Sequence, residues 1–248
     1  GTPTTISAAR ANAWVASRYS GGDRHGFRRT VPIDLDTERI VVTARAADGR
    51  TATLMDLKLF ATFIDIESWK YFAPGVKWMR ANGLTYGTLP GLFEPMNEMN
   101  RAQMATFLHR FMDAPPPTDP APFVDIDPGS YYETAVDWLY GTGITTGTTA
   151  TTYGGVEPVS RAQMATFLWR LCGQQSAPRG PFVDVPRTAY YTRAVDWLYA
   201  MGVTTGKGPQ HFVPDDPVTR GQMATFLYRL ATTPAAWTVT RPPSVVDV

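Results

Sequence analysis

The stretch SRAQMATFLWRL, residues 160–171, decides the fold. Ser160 followed three residues later by Gln163 is a capping box: the hydroxyl accepts the third helical amide and the Gln side chain reaches back to the cap. Behind it, Met164, Phe167, Leu168 and Leu171 fall on one helical face and form an apolar stripe. The same segment occurs twice more, as NRAQMATFLHRF at 100–111 and TRGQMATFLYRL at 219–230. Asn100 with Gln103, and Thr219 with Gln222, repeat the box, and Met223, Phe226, Leu227 and Leu230 repeat the stripe.

Upstream of each copy lies a second shared segment. FIDIESWKYFAPGVKWMRANGLTYG starts at Phe63, FVDIDPGSYYETAVDWLYGTGITTG at Phe123 and FVDVPRTAYYTRAVDWLYAMGVTTG at Phe182. Asp65, Asp125 and Asp184 each stand 13 residues before Trp78, Trp138 and Trp197; Phe93, Tyr153 and Phe212 each stand 8 before Arg101, Arg161 and Arg220. In the middle copy, Tyr132, Ala135, Val136, Leu139 and Tyr140 share a helical face, and Gly143 ends that helix through its access to positive φ. Each unit therefore reads as helix, turn, extended stretch, helix. Two amphipathic helices are too little to bury their own stripes, so a period of about sixty predicts stacked units that share one core. Three equivalent stripes predict a central three-helix bundle with approximate threefold symmetry.

The expected boundaries are 60–114, 120–174 and 179–232 for the units, with Pro-rich joints at Ala114-Pro115-Pro116-Pro117 and Ala177-Pro178. Residues 1–59 read differently. Arg39-Ile40-Val41-Val42-Thr43-Ala44-Arg45 is β-branched and partly alternating, followed by an Asp48-Gly49 turn signal, and Val31-Pro32-Ile33 suits an earlier edge strand. This is a small β-rich segment. Residues 233–248 are a tail or a single strand.

Composition limits the function. The 248 residues are 44% hydrophobic, 12% aromatic and 18% charged, with a net charge of +1. That is a globular composition without the clustered basic excess of a nucleic-acid binder. No apolar run nears the roughly 20 residues of a membrane span. Gly1-Thr2-Pro3 opens without a leader pattern, so a secreted chain would here be mature or a fragment. Cys172 is the single cysteine, so no internal disulfide forms, and it reads as a core thiol. His25, His109 and His211 share no motif, the Gly141-Thr142-Gly143 loop follows a helix rather than a strand, and Asp125-Ile126-Asp127 is not repeated in full, which argues against zinc, nucleotide and calcium. No catalytic signature and no cofactor motif recurs.

The FxD opening, the AVDWLYxxGxTTG helix and turn, and the three copies of the RAQM-type second helix resemble the S-layer homology (SLH) domain over about residues 60–232. The resemblance implies a mainly α, three-pronged trimer of repeats around a central helical bundle. It also implies an extracellular module that holds a protein non-covalently to a secondary cell-wall polysaccharide attached to peptidoglycan, often through a pyruvylated sugar. The stretch GGDRHGFRRTVPI at Gly21 is also similar to the later part of an immunoglobulin-like domain of actinobacterial surface proteins.

Arg101, Arg161 and Arg220 open the second helices, where free amides and the positive helix end favour an anion such as the carboxylate of a pyruvate ketal. The alternative is a pairing with a neighbouring Asp or carbonyl. Asp65, Asp125 and Asp184 suit sugar hydroxyls or turn capping. Trp78, Trp138 and Trp197 suit a sugar face or the core. Gly87, Gly147 and Gly206 suit tight turns with close backbone approach. The first unit departs most, with Lys77 in place of Asp137 and Asp196, Asn100 as cap and Tyr86 in place of Thr, so its site is expected to be the weakest. Three functions follow: a glycan-binding anchor, a surface-layer or filament assembly protein that binds other protein subunits, or the non-catalytic end of a wall enzyme.

Overall fold

The structure, a computed structural model, describes the strands at residues 39–45 and 51–58, then residues 63–117 and 119–237. The chain divides into two compact units, Gly1–Ala61 and Thr62–Val248. In the first, β1 (Arg39–Arg45) and β2 (Thr51–Lys58) form an antiparallel hairpin whose register slips between Val42 and Thr43. The first strand falls on the β-branched run; the Asp48-Gly49 turn signal lies outside the described residues. The edge strand expected at Val31-Pro32-Ile33, the immunoglobulin-like stretch at Gly21 and residues 238–248 of the tail lie outside the described residues.

The second unit is mainly helical, with first helices α1 (Ala73–Ala81), α3 (Glu133–Gly141) and α5 (Thr192–Ala200), and second helices α2 (Arg101–Phe111), α4 (Arg161–Leu171) and α6 (Arg220–Ala231). All three capping boxes form, on Asn100, Ser160 and Thr219. Gly143 stands just past α3 at φ 72°, the left-handed terminator expected there. The stripe residues Met104, Leu108, Met164, Leu168, Met223 and Leu227 are all buried in one continuous core.

Close helix packing crosses the repeat boundaries in a closed cycle: α2 lies on α3, α4 on α5, and α6 on α1. The ends of the second helices meet in a ring. Met99 donates its amide to the carbonyl of Val218 (2.8 Å), Val218 to Val159 (2.8 Å) and Val159 to Met99 (2.9 Å). These three residues immediately precede the helix caps and are fully buried. Each second helix is then capped by the next unit. The amides of Arg101 and Ala102 reach the carbonyls of Glu157 and Gly155, those of Arg161 and Ala162 reach Asp216 and Pro214, and those of Arg220 and Gly221 reach Asn97 and Pro95. Amides that would otherwise be orphans at a helix start therefore bind one unit to another.

The seam that closes the ring differs from the other two. Gly75 on α1 and Gly221 on α6 stand where the other units have Ala135 and Ala194, and Ala102 and Ala162. A Cβ on Gly75 would lie 2.5 Å from the Ala224 carbonyl oxygen, and one on Gly221 would lie 2.9 Å from the Phe72 ring. Gly75→Ala is therefore expected to destabilise the protein by about 1–3 kcal/mol through overpacking against backbone. This holds although Ala is the better helix former by about 1 kcal/mol. A urea titration reads the effect; a higher midpoint would mean that the two helices separate freely.

Candidate functional site

The three arginines line the seams between units. Arg101 and Arg161 are 3% exposed and Arg220 is 5% exposed. Each Nε donates to a carbonyl of the next unit at 2.7 Å: Arg101 to Tyr153, Arg161 to Phe212, Arg220 to Phe93. Each guanidinium also lies between two rings of that unit. Arg161 is 4.6 Å from the centre of the Phe212 ring and 5.8 Å from that of Phe226. Arg101 meets Tyr153 and Phe167, and Arg220 meets Phe93 and Phe107, in the same way. The sequence suggested free amides beside these side chains. Instead, the first two amides of each second helix are taken by the next unit and the third by the cap, so the helix starts offer no open backbone donors there. What stays unsatisfied is the guanidinium: Nη2 of Arg101 and of Arg161 is buried without a hydrogen-bond partner. Burial pushes the pKa of Arg161 and Arg220 below the ordinary arginine value, with Asp216 acting the other way on Arg161.

The three aspartates support the same peptide groups. Asp65 accepts the amides of Phe93 (3.0 Å) and Glu94 (2.6 Å), Asp125 those of Tyr153 and Gly154 (2.8 Å each), and Asp184 those of Phe212 (2.9 Å) and Val213 (2.7 Å). Burial would raise the Asp125 and Asp184 carboxyls, but these amides outweigh it and hold both below the usual carboxylate range. Each Asp thus fixes the peptide whose carbonyl receives the Arg. It also holds the following residue at positive φ: Glu94 at 56°, Gly154 at 71°, Val213 at 57°. Gly87, Gly147 and Gly206 close the turns at φ 90°, 81° and 79°; a Cβ on Gly206 would lie 2.5 Å from the His211 carbonyl oxygen.

The tryptophans separate from this group. Trp197 is fully buried and Trp78 is 7% exposed, packed on Phe111 and Tyr228, so neither presents a face to a sugar. The wide apolar surface of the indole is spent on the helix-to-helix contact. Trp138 is half-buried against His109. Lys77 is exposed, whereas Asp137 and Asp196 bind the amides of Ala121 and Gly180 and so tie the incoming chain to α3 and α5.

A cavity of about 380 Å³ opens at the Arg161 seam, and all three repeats line it. Tyr71 comes from the first repeat and Arg161 from the second; Thr204, Gly206, Lys207, Gln222 and Arg229 come from the third. Burial raises the Tyr71 pKa, partly offset by a side-chain hydrogen bond with Gln222 and by the charges of Arg161 and Arg229. Equivalent residues surround the Arg101 seam, where the charges of Arg101 and Arg170 act on Tyr190. Tyr71, Tyr131 and Tyr190 each stand 6 residues after the repeated Asp and are 61%, 66% and 64% exposed. Arg110, Arg170 and Arg229 each stand 9 after the repeated Arg and donate to the carbonyls of Leu84, Ile144 and Val203 at the ends of the first helices. The sequence reading missed both sets, although their strict recurrence is the same kind of signal that picked out the first arginines.

Among the described residues no cluster of His, Cys, Asp and Glu is placed to hold a metal, and no helix is long and apolar enough to cross a membrane.

The family model for the S-layer homology domain matches residues 63–105, 122–165 and 181–224, together just over half of the chain. The chain therefore belongs to the S-layer homology domain family. It is 31% identical over 114 residues to a cell surface protein of Thermoanaerobacter kivui, 44% of this chain and 15% of that one. It is 34% identical over 109 residues to an endoglucanase of Bacillus sp. (strain KSM-635), 44% and 11% of the two chains. It is 25% identical over 173 residues to the S-layer protein sap of Bacillus anthracis, 67% and 21%. The alignments thus span no more than about a fifth of these relatives. Family and relatives mark the chain as extracellular and associated with the cell surface.

Proposed function

We propose that residues 60–232 anchor the chain to the cell wall by binding an anionic secondary polysaccharide, one repeat unit of the glycan in each seam groove. The observation that carries this reading is an unsatisfied guanidinium edge: Arg161 lines the groove and its Nη2 is buried without a hydrogen-bond partner, as is that of Arg101, and a carboxylate that reached them would satisfy both. Around it the groove offers what a sugar needs, an exposed tyrosine ring at the lip and amide and hydroxyl groups inside. A pyruvate ketal supplies the carboxylate on a compact ring. Asp65, Asp125 and Asp184 act here by holding the peptide that holds each Arg. In this reading the chain is a binding module, and any catalysis belongs to a further domain. Other surface-layer subunits are secondary partners.

The tyrosines test this without disturbing the core. Tyr71→Ala, Tyr131→Ala and Tyr190→Ala combined should lower affinity per groove by about fivefold to tenfold, from the lost burial of one ring face. The thermal melt should stay in place, because all three side chains are largely exposed. Co-sedimentation with purified sacculi measures this, alongside calorimetry with a methyl glycoside carrying a pyruvate ketal. Equal binding to sacculi stripped of their secondary polymer would overturn the glycan reading and favour protein assembly.

A further inference from the structure

The three grooves share one plan but differ in charge. The turn that forms one wall reads Thr85-Tyr86-Gly87-Thr88 in the first repeat, Thr145-Thr146-Gly147-Thr148 in the second and Thr204-Thr205-Gly206-Lys207 in the third. In the first two turns the last hydroxyl is engaged inside its own loop: Thr88 Oγ1 donates to the Leu92 carbonyl and Thr148 Oγ1 to the Thr152 carbonyl. Neither offers a charge. In the third turn Lys207 lines the same cavity as Arg161. Its ammonium is held by Asp216, the residue whose carbonyl also receives the Arg161 amide. An ammonium has three donors and its carboxylate partner occupies only part of them, so Lys207 keeps donors for a ligand. Arg229, on the next helix, also lines this cavity, but Arg110 and Arg170 hold its place in the other repeats, so Lys207 is the cation that this groove adds.

Arg161 and Lys207 reach the cavity from different repeats and different walls. Arg161 is fixed by its stacked rings and its bond to Phe212, and Lys207 by Asp216. Two separately held cations suit two separate anionic groups better than one.

Resting on the glycan reading above, we propose that the Arg161 groove is a two-point anion site: Arg161 takes one anionic group of the glycan and Lys207 takes a second. The grooves at Arg101 and Arg220 take one only. The second group is a phosphate or a second carboxylate on the sugar next to the ketal-bearing one. The chain then binds a doubly charged repeat with one strong and two weaker grooves, and a singly charged repeat with three similar ones.

Three probes test this by calorimetry at low salt: a pyruvate-ketal methyl glycoside, the same glycoside extended by a sugar phosphate, and the same extended by a uronate. The unaltered protein should bind whichever extended probe carries the right second group about threefold to fivefold more tightly at one of its sites, the range for a partly exposed ion pair. Lys207→Thr, which installs the residue of the other two turns, should abolish that gain, so that the extended probes bind this groove no more tightly than the simple glycoside does. Lys207 is exposed, so folding is not at risk, and a melt confirms it. A preference for either extended probe that survives Lys207→Thr, or no preference for either, overturns the two-point site while the simple glycoside still binds. Failure of all three probes overturns the glycan reading and this inference together.

Discussion

The middle repeat excised as residues 120–174 is expected to be unfolded, with no cooperative thermal transition. Its two helices have 9 and 11 residues, and helices of that length are marginal alone in water. In the intact protein they lean on other repeats: α3 packs on α2 and α4 packs on α5. Excision removes the Asp216 and Pro214 carbonyls that cap α4, the Phe212 carbonyl that receives Arg161 and both ring bonds that Val159 makes, to Met99 and Val218. Val136, Leu139, Met164 and Leu168, fully or almost fully buried now, would face water. At about 0.8 kcal/mol per CH₂ returned to water, no local contact within the piece offsets that loss. Circular dichroism and calorimetry read the outcome, with residues 60–237 as the comparison, which should melt in one transition. A sigmoidal melt of the excised repeat with a calorimetric enthalpy would show that each repeat carries its own core.

Much of this architecture was legible beforehand, for identifiable reasons. Capping boxes are local chemistry, and all three formed as the Ser/Thr/Asn and Gln spacing predicts. The stripe on Met164 and Leu168 is a periodicity, and periodicity reports burial directly. The order of pairing was not legible. Three nearly identical repeats present nearly identical faces, so no pattern distinguishes α4 on α3 from α4 on α5. The joints and the ring at Met99, Val159 and Val218 decide it. The aspartates show the same limit in another form. Asp184 and Arg220 carry a charge that signals a site, but spacing does not reveal that the carboxylate is engaged by two amides 28 and 29 residues away. Gly75 and Gly221 carry no side chain that a pattern could register. They lie on the two helices of one seam, where a Cβ on either would press on the other repeat.

The arginines are the point where chemical type and burial gave different expectations. From position alone, Arg161→Ala removes an exposed charge from a first helical turn at little structural cost. With Arg161 only 3% exposed, the same substitution is expected to destabilise the protein by about 3 kcal/mol. Three losses contribute. The Phe212 carbonyl loses a 2.7 Å charge-assisted bond and is left buried. Two ring faces, Phe212 and Phe226, lose a desolvated cation worth about 2 kcal/mol in such a setting. A void opens between two repeats. One gain opposes them: the cost of burying a cation with an unsatisfied Nη2 disappears, which keeps the net below the sum of the losses. Arg161→Lys should recover part of the stability, since an ammonium still reaches a carbonyl but does not stack flat between two rings. Urea denaturation at neutral pH measures both, with an unchanged slope as the sign that the native fold is the same. If Arg161→Ala unfolds at the wild-type midpoint, the guanidinium contributes nothing to the seam and serves the ligand alone. The predicted loss means that binding measured on an Arg→Ala protein mixes affinity with unfolding. Tyr71 and Lys207, both exposed on the same groove, are the positions at which recognition separates from stability.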